Sequence, residues 1–377
     1  MMPLLILLAA TGLLFLLQRK IYEKYWARGL DVKVDLGRDR YIFEGDSIHM
    51  EEELSNNKLL PLPWVYVKYQ LSGNGKPKIY ASDMFSILFR QRIRRKKSYT
   101  LEERGVYTLG SVDLISHDLF LTRTFSRIKT DMPGSVTVYP RLLAEQEWPV
   151  SSEQLTGEVI ARRFYLEDPY IFKGIREYQT SDSFRRINFR ASAKVGQWMV
   201  NVHETTISQR VTLLLGMDKG SEFYDPVLYE HALRIAGTLA AQYENAGIPV
   251  ELISNGTDAL LKKSTRVEAG CGAGHVYEVL EALARMNLEK EEGSITAELE
   301  KQAAAVNADS LSILITPCWK RGVREAYQSL CERQGACFWF MPVTAAQEKD
   351  PEFEPARWKE QTPGLYWWKP GEGKVVS

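Results

Sequence analysis

Charge of one sign is missing in excess: 48 Lys and Arg residues balance 48 Asp and Glu residues, for a formal net charge of +0. No whole-protein electrostatic footprint for nucleic acid exists, and nucleic acid is not an expected partner. Cysteine is scarce and late. Cys271, Cys318, Cys331 and Cys337 all lie in the last third, and no two form a C-x-x-C pair. A dense disulfide scaffold is thereby excluded, leaving reduced core thiols in a cytosolic domain as the expectation. His49, His117, His203, His231 and His275 stand singly, without zinc-ligand spacing. There is no G-x-S-x-G, no G-x-x-x-x-G-K-[ST], no H-E-x-x-H and no G-x-G-x-x-G opening a helix after a strand. Internal repeats and low-complexity tracts are absent too. What remains is an ordinary globular balance, 45% apolar and 25% charged over 377 residues, enough for two or three packed units.

One stretch departs from that balance. Residues 3 to 17, PLLILLAATGLLFLL, carry no charge and are followed at once by Gln18, Arg19 and Lys20. A helix from Met1 to Gln18 spans about 27 Å, just under a ~30 Å hydrocarbon core. The positive charges follow the apolar run and no small-x-small cleavage site comes after it, so an uncleaved anchor over 1–20 is expected in place of a signal peptide. Arg19, Lys20, Lys24, Arg28 and Lys33 all follow the span. By the positive-inside rule the chain is then a single-pass cell-membrane protein with its body in the cytoplasm. Tyr22, Tyr25 and Trp26 suit the headgroup layer.

Over 31–141 short alternating runs such as WVYVKYQL (64–71) are separated by turn residues, which predicts a β-sandwich of about seven strands. Its segment 90–110 gathers Arg90, Arg92, Arg94, Arg95, Lys96, Lys97 and Arg104, read either as a charged edge strand or as a lipid-facing patch. Over 209–345 the pattern changes to continuous apolar runs, VTLLLG, IPVELIS, LSILIT and CFWFM, alternating with amphipathic helices. That order predicts a doubly wound α/β domain on a parallel sheet. One of its helices has Asp225 as cap, Pro226 at its first position and Gly247 at its end. The tail 346–377 is expected to be irregular until LYWW (365–368).

The most distinctive segment is the junction, 142–208, with FKGIREYQTSDSFRRINFRASAKVGQWMVNVHE at 172–204. Ser181 and Asp182 can cap a short helix with Phe184, Ile187 and Ala191 along one side and Arg185, Arg186, Arg190 and Lys194 largely on the others. A half-buried strand over 197–204 follows. Gly174, Arg176-Glu177-Tyr178, Ser181-Asp182, Arg185-Arg186-Ile187, Ala191-Ser192-Ala193-Lys194 and Val200 together resemble the signature of the domain of unknown function 58 family. The resemblance runs from about residue 31 to 345, through Pro61 and Pro63, RGVYTLGSVDLISHDLF (104–120) and VTVYPR (136–141). It implies a membrane-anchored protein with a von Willebrand factor A-like domain. It also implies partnership with a MoxR-type AAA+ ATPase and a transglutaminase-like membrane protein. Two features depart from the family: one transmembrane helix is visible instead of a pair, and Ser181 stands where Gly is usual.

A metal-binding von Willebrand A domain presents Asp-x-Ser-x-Ser at the end of its first buried strand, with a Thr and an Asp from later loops. Here Gly216 stands at the Asp position, Met217-Asp218-Lys219-Gly220 replace the hydroxyl positions, and Thr316 ends the later strand without a carboxylate. The expectation is a degenerate site around Gly216, Asp218 and Thr316, with no metal and no other cofactor. GCGAG (270–274) can cradle an anion, and Cys271 with His275 is the one thiol–imidazole pair to consider. Two functions stand: a non-catalytic, membrane-anchored interaction platform, with Arg176, Glu177, Tyr178, Asp182, Arg185, Arg186, Arg190 and Lys194 as its candidate partner-binding or structural motif, and a hydrolase or transferase with an unrecognised active site.

Overall fold

The charge-free run and the basic turn after it form one helix, α1 (Met2–Tyr25), which ends five residues beyond the expected anchor. Gly29, at φ +67, turns the chain into β1 (Leu30–Asp35). The computed structural model describes residues 2–37, 41–73, 76–130, 134–144, 147, 172–179, 184, 187–203, 210–219, 225–305, 310–334, 337–344, 347, 362, 364–368, 370 and 375–376. The chain divides into two compact units, Met1–Arg141 with Leu283–Arg285, and Leu142–Ala282 with Met286–Ser377.

In the first unit nine strands form two sheets, two more than the turn spacing predicts. β1, β3 (Ser47–Asn56) and β6 (Gln91–Thr100) make the smaller one. The larger has the order β2 (Ile42–Phe43), β9 (Ser135–Tyr139), β7 (Gly105–His117), β4 (Leu62–Gly73), β5 (Lys76–Ile87), with β8 (Thr124–Lys129) on β7. Alternation places Val32, Ile48, Met50, Leu54, Val65, Val67 and Val112 in one core. Of the basic segment 90–110, residues 91–100 form the edge strand β6, while 105–110 begin the central strand β7. Among the described residues β6 pairs with β3 alone, and two of its cations meet the acidic run of that strand: Arg94 Nε is 2.6 Å from Glu53 Oε2 and Arg92 Nε 3.4 Å from Glu53 Oε1. Lys97 pairs with Asp83. Opposite charges across a ladder offset one another, and Arg92, Arg94 and Lys97 are each paired in this way. Glu52 on β3 points inward, 1% exposed, where Tyr69 Oη donates to its Oε1 at 2.5 Å.

The end of α1 is sewn into this sandwich. Tyr22 Oη donates to Pro61 O at 2.8 Å, Lys58 Nζ donates to Trp26 O at 2.6 Å, and Trp26 stacks on Phe125 at 5.8 Å. No free linker separates anchor from sandwich. Burial pushes the Lys58 ammonium down to about 8.

The second unit begins with a two-stranded antiparallel sheet, β10 (Phe172–Glu177) and β11 (Met199–His203), joined through α2 (Phe189–Val195). A mixed eight-stranded sheet then uses the apolar runs. Its order is β14 (Ser264–Gly270), β13 (Val250–Asp258), β12 (Arg210–Leu215), β16 (Ser310–Ile315), β17 (Cys337–Pro342), β18 (Leu365–Trp368), β19 (Val375–Val376), with β15 (Met286–Glu291) also on β13. β13, β12, β16, β17 and β18 are parallel. β18 is the LYWW run at which the irregular tail was expected to end, and it carries the sheet past residue 345.

α3 (Pro226–Asn245) is capped by Asp225, whose carboxylate accepts from Val227 N at 2.9 Å, and ends before Gly247 at φ +68, as its sequence signals predict. α4 (Ala273–Arg285), α5 (Ile295–Ala304) and α6 (Arg321–Gln334) complete the unit. α5 and α6 bury Leu299, Tyr327 and Leu330 against Leu214, Leu314 and Trp339 of the sheet.

Candidate functional site

In an open α/β sheet the crevice for a ligand lies beyond the carboxyl ends of the strands, where the strand order reverses. Here that point is between β12 and β16, and it brings Gly216, Asp218 and Thr316 together. The chain's own groups fill it. A Cβ on Gly216 would lie 2.8 Å from Thr316 Oγ1 and 3.2 Å from Ile295 Cγ1. Thr316 is fully buried and its Oγ1 accepts from Cys318 N at 3.2 Å. Asn255 Oδ1 accepts from Met217 N at 2.8 Å. The Asp218 carboxylate accepts from Ile295 N at 3.1 Å, capping α5 beside Ser294, while its carbonyl accepts from Tyr229 Oη at 2.7 Å. At this point the only carboxylate of the degenerate set serves a helix end, and the glycine has no room for a side chain. Among the described residues no group of three or more His, Cys, Asp or Glu could hold a metal ion.

The Gly-rich stretch at the start of α4 is a packing site. A Cβ on Gly270 would lie 2.6 Å from His275 Nδ1, and His275 Nε2 is 2.7 Å from Val250 O. The imidazole also has Glu278 at 3.5 Å, while Cys271 stands exposed. Both ring nitrogens thus face groups other than the thiol. The perturbed thiol of this unit is elsewhere: a hydrogen bond with Cys337 holds Cys331 below its ordinary value against the opposing effect of burial.

The junction motif builds a different kind of surface. α2 starts at Phe189, later than the expected helix, because Ile187 is taken up in a bridge with Val200 of β11. Asn188 is its cap: Oδ1 accepts from Ala191 N at 2.9 Å and Nδ2 donates to Asn201 Oδ1 at 2.7 Å. Gly196, at φ +76, closes the helix, and Ser192 Oγ accepts from Met199 N at 2.9 Å, fixing α2 to β11. Asp182, Arg185 and Arg186 lie outside the described residues, so the expected Asp182 cap does too. Arg176 and Glu177 are exposed on β10, and Arg190 and Lys194 are exposed on α2. Tyr178 N donates to Trp198 O at 2.8 Å.

The pattern hid the aromatics. Phe184, expected on one helix side with Ile187 and Ala191, is 76% exposed, Phe189 is 69% and Trp198 is 59% exposed, whereas Ile187 is buried. Tyr178 and Phe184 lie 5.6 Å apart, Phe189 and Trp198 6.3 Å apart edge to face. Strand alternation places Trp198 on the same side as the buried Val200, so the pattern carried no signal that it points outward.

This module and the sheet after it coincide with a known family: the family model described as "Protein of unknown function DUF58" matches residues 174–350. Over this stretch, just under half of the chain, the sequence matches the DUF58 family. No curated protein sequence matches the chain. Among solved structures, the CARDB domain of a Pyrococcus furiosus protein is 14% identical over 29% of this chain and 93% of its own, at a TM-score of 0.19. The sporulation control protein Spo0M from Bacillus subtilis is 12% identical over 39% of this chain and 58% of its own, at 0.18. A β-D-mannosidase from Dictyoglomus thermophilum is 12% identical over 91% of this chain and 34% of its own, at 0.21. Likenesses this remote leave the functional argument to the geometry.

Proposed function

We propose that this protein is a non-catalytic, membrane-anchored interaction platform whose partners are a MoxR-type AAA+ ATPase and a transglutaminase-like membrane protein. α1 is its single-pass anchor in the cell membrane, with both units on the cytoplasmic side, as the cations after the apolar run favour. The α/β unit is von Willebrand factor A-like and works without metal or other cofactor. In support, an antiparallel edge strand, β14, is followed across the sheet by β13, β12, β16, β17 and β18 in parallel, and the strand ends are closed over Gly216.

One observation carries the platform reading. The described residues of the family motif leave Phe184, Phe189, Val195 and Trp198 exposed along with Arg190 and Lys194. Large aromatics interleaved with cations are the composition of a protein-binding hot spot, whereas catalysis needs convergent polar groups in a cleft. The test is affinity capture of the tagged full chain from its own membrane. An AAA+ subunit should come with it near stoichiometrically, and Arg190→Glu with Lys194→Glu should remove that subunit while the protein stays folded. Capture without any AAA+ subunit, or capture that ignores the double substitution, contradicts the reading.

A further inference from the structure

The end of the sandwich beside α1 is apolar on its outside. The turn after β7 exposes Leu119, Phe120 and Leu121 by 48%, 54% and 56%, and two turns across from it expose Leu59 by 71% and Phe89 by 59%. Soluble loop tips are ordinarily polar. These tips are also held in place. Asp118 Oδ1 accepts from Thr122 N at 2.6 Å and from Arg123 N at 3.1 Å, and Asp118 Oδ2 accepts from Gln18 Nε2 of α1 at 3.3 Å. Asn56 Nδ2 donates to both Leu60 O and Leu88 O, tying the other two turns together. Leu121 and Arg90 keep left-handed backbones, at φ 58 and 48, positions where glycine is the easier residue.

We propose that this end of the sandwich is a foot inserted into the lipid surface, with Leu59, Leu88, Phe89, Leu119, Phe120 and Leu121 among the headgroups and upper acyl chains of the leaflet α1 leaves through. The proposal rests on α1 being a membrane anchor. Its depth follows from α1 itself. Phe120 lies 5.6 Å from Phe15, inside the charge-free run, so the two rings share one depth in the bilayer. On the other side Leu59 and Leu60 line a cleft of about 220 Å³ with Ile21, Tyr25, Arg28 and Lys58. The run from 3 to 17 spans only about 22 Å of a ~30 Å core. An apolar collar around its lower end supplies the missing hydrophobic height, which a lone short helix must recover by thinning the bilayer. Cations stand directly behind each tip: Arg90 follows Phe89, and Arg123 follows the turn and pairs with Glu23 at 3.0 Å. Apolar tips backed by cations match an anionic lipid surface.

The test uses the full chain, with Cys271 and Cys331 replaced by serine, in vesicles of phosphatidylethanolamine and phosphatidylglycerol. Nitroxide labels are placed singly at Leu121→Cys, Phe89→Cys, Leu8→Cys and Tyr80→Cys, the last on β5 and 71% exposed. Relaxation by dissolved oxygen should exceed relaxation by a water-soluble nickel chelate at positions 121, 89 and 8, and the order should reverse at 80. If 121 and 89 follow 80 while 8 stays oxygen-dominated, the anchor stands and the foot is wrong. Labels at 121 and 89 shielded from both reagents report a protein contact and also overturn the foot. A nickel-accessible label at 8 removes the anchor, and the foot with it.

Discussion

Replacing Gly216 by alanine adds a single methyl group, and two effects compete over its sign. Gly216 is not among the positive-φ glycines, so alanine suits the backbone and gains about 0.4–1 kcal/mol by restricting the unfolded chain. Against this, the new Cβ meets Thr316 Oγ1 at 2.8 Å, Thr316 Cβ at 2.9 Å and Ile295 Cγ1 at 3.2 Å. Thr316 cannot swing away without losing the bond from Cys318 N, and its own N donates to Phe340 O at 3.2 Å. Overpacking of this kind costs about 1–3 kcal/mol, and the lost hydrogen bond about 1 kcal/mol more. The sum favours destabilisation by about 1–3 kcal/mol. Hydrogen-exchange mass spectrometry on the full chain in detergent resolves β12 and β16 from the sandwich, and the loss reads as exchange about 5- to 150-fold faster. Gly216→Asp, which restores the metal-site pattern, should cost more and should not be rescued by Mg²⁺. Unchanged or slower exchange in Gly216→Ala, or a Gly216→Asp protein that Mg²⁺ stabilises, would refute the closed-crevice argument.

Asn188→Ala removes the cap of α2 and its bond to Asn201, and should speed exchange in 189–203 by an amount corresponding to about 0.5–2 kcal/mol, leaving the sandwich unchanged. Tyr69→Phe leaves the buried Glu52 carboxylate without its 2.5 Å donor and should lower the sandwich's unfolding free energy by about 1–3 kcal/mol; a neutral result would mean that water or Lys97 replaces the phenol. Asp118 is desolvated by burial, yet bonds from Thr122, Arg123 and Gln18 hold its carboxyl below the ordinary value of 3.8. A group lowered in the folded state stabilises above its unfolded value and loses that contribution as pH falls through the folded one. The turn should therefore loosen only below about pH 4, and Asp118→Asn should abolish that acid transition in the label mobility at position 121. Chelator should leave the melting temperature of the wild-type chain unchanged, since only a ligand bound by the native state raises it.

The parallel strands were legible because burial on both faces leaves nothing but apolar residues in VTLLLG, LSILIT and CFWFM. Edge elements were not. STRVEAG carries no continuous apolar run and was not among the expected strands, and LYWW was seen as a run without its place beside β17. That α2 starts only at Phe189 was not legible, because the bridge that occupies Ile187 comes from Val200, a tertiary contact that local pattern does not carry. At the crevice the missing Asp was readable at Gly216. Its steric closure was not, because Thr316 and Ile295 arrive from distant strands and helices. The outward aromatics of the motif escaped for a related reason: local periodicity groups Phe184 with Ile187 and Trp198 with Val200, yet only Ile187 and Val200 are buried.

The platform reading is tested most directly by equilibrium binding of a purified MoxR-type AAA+ ATPase to the full chain in lipid nanodiscs. Saturable binding should appear with the wild-type chain and weaken at least about tenfold, ~1.4 kcal/mol, in the Arg190→Glu, Lys194→Glu, Trp198→Ala variant, while exchange protection in β12 and β16 stays as in the wild type. Binding no greater than to empty nanodiscs, or binding that the variant retains in full, would contradict it.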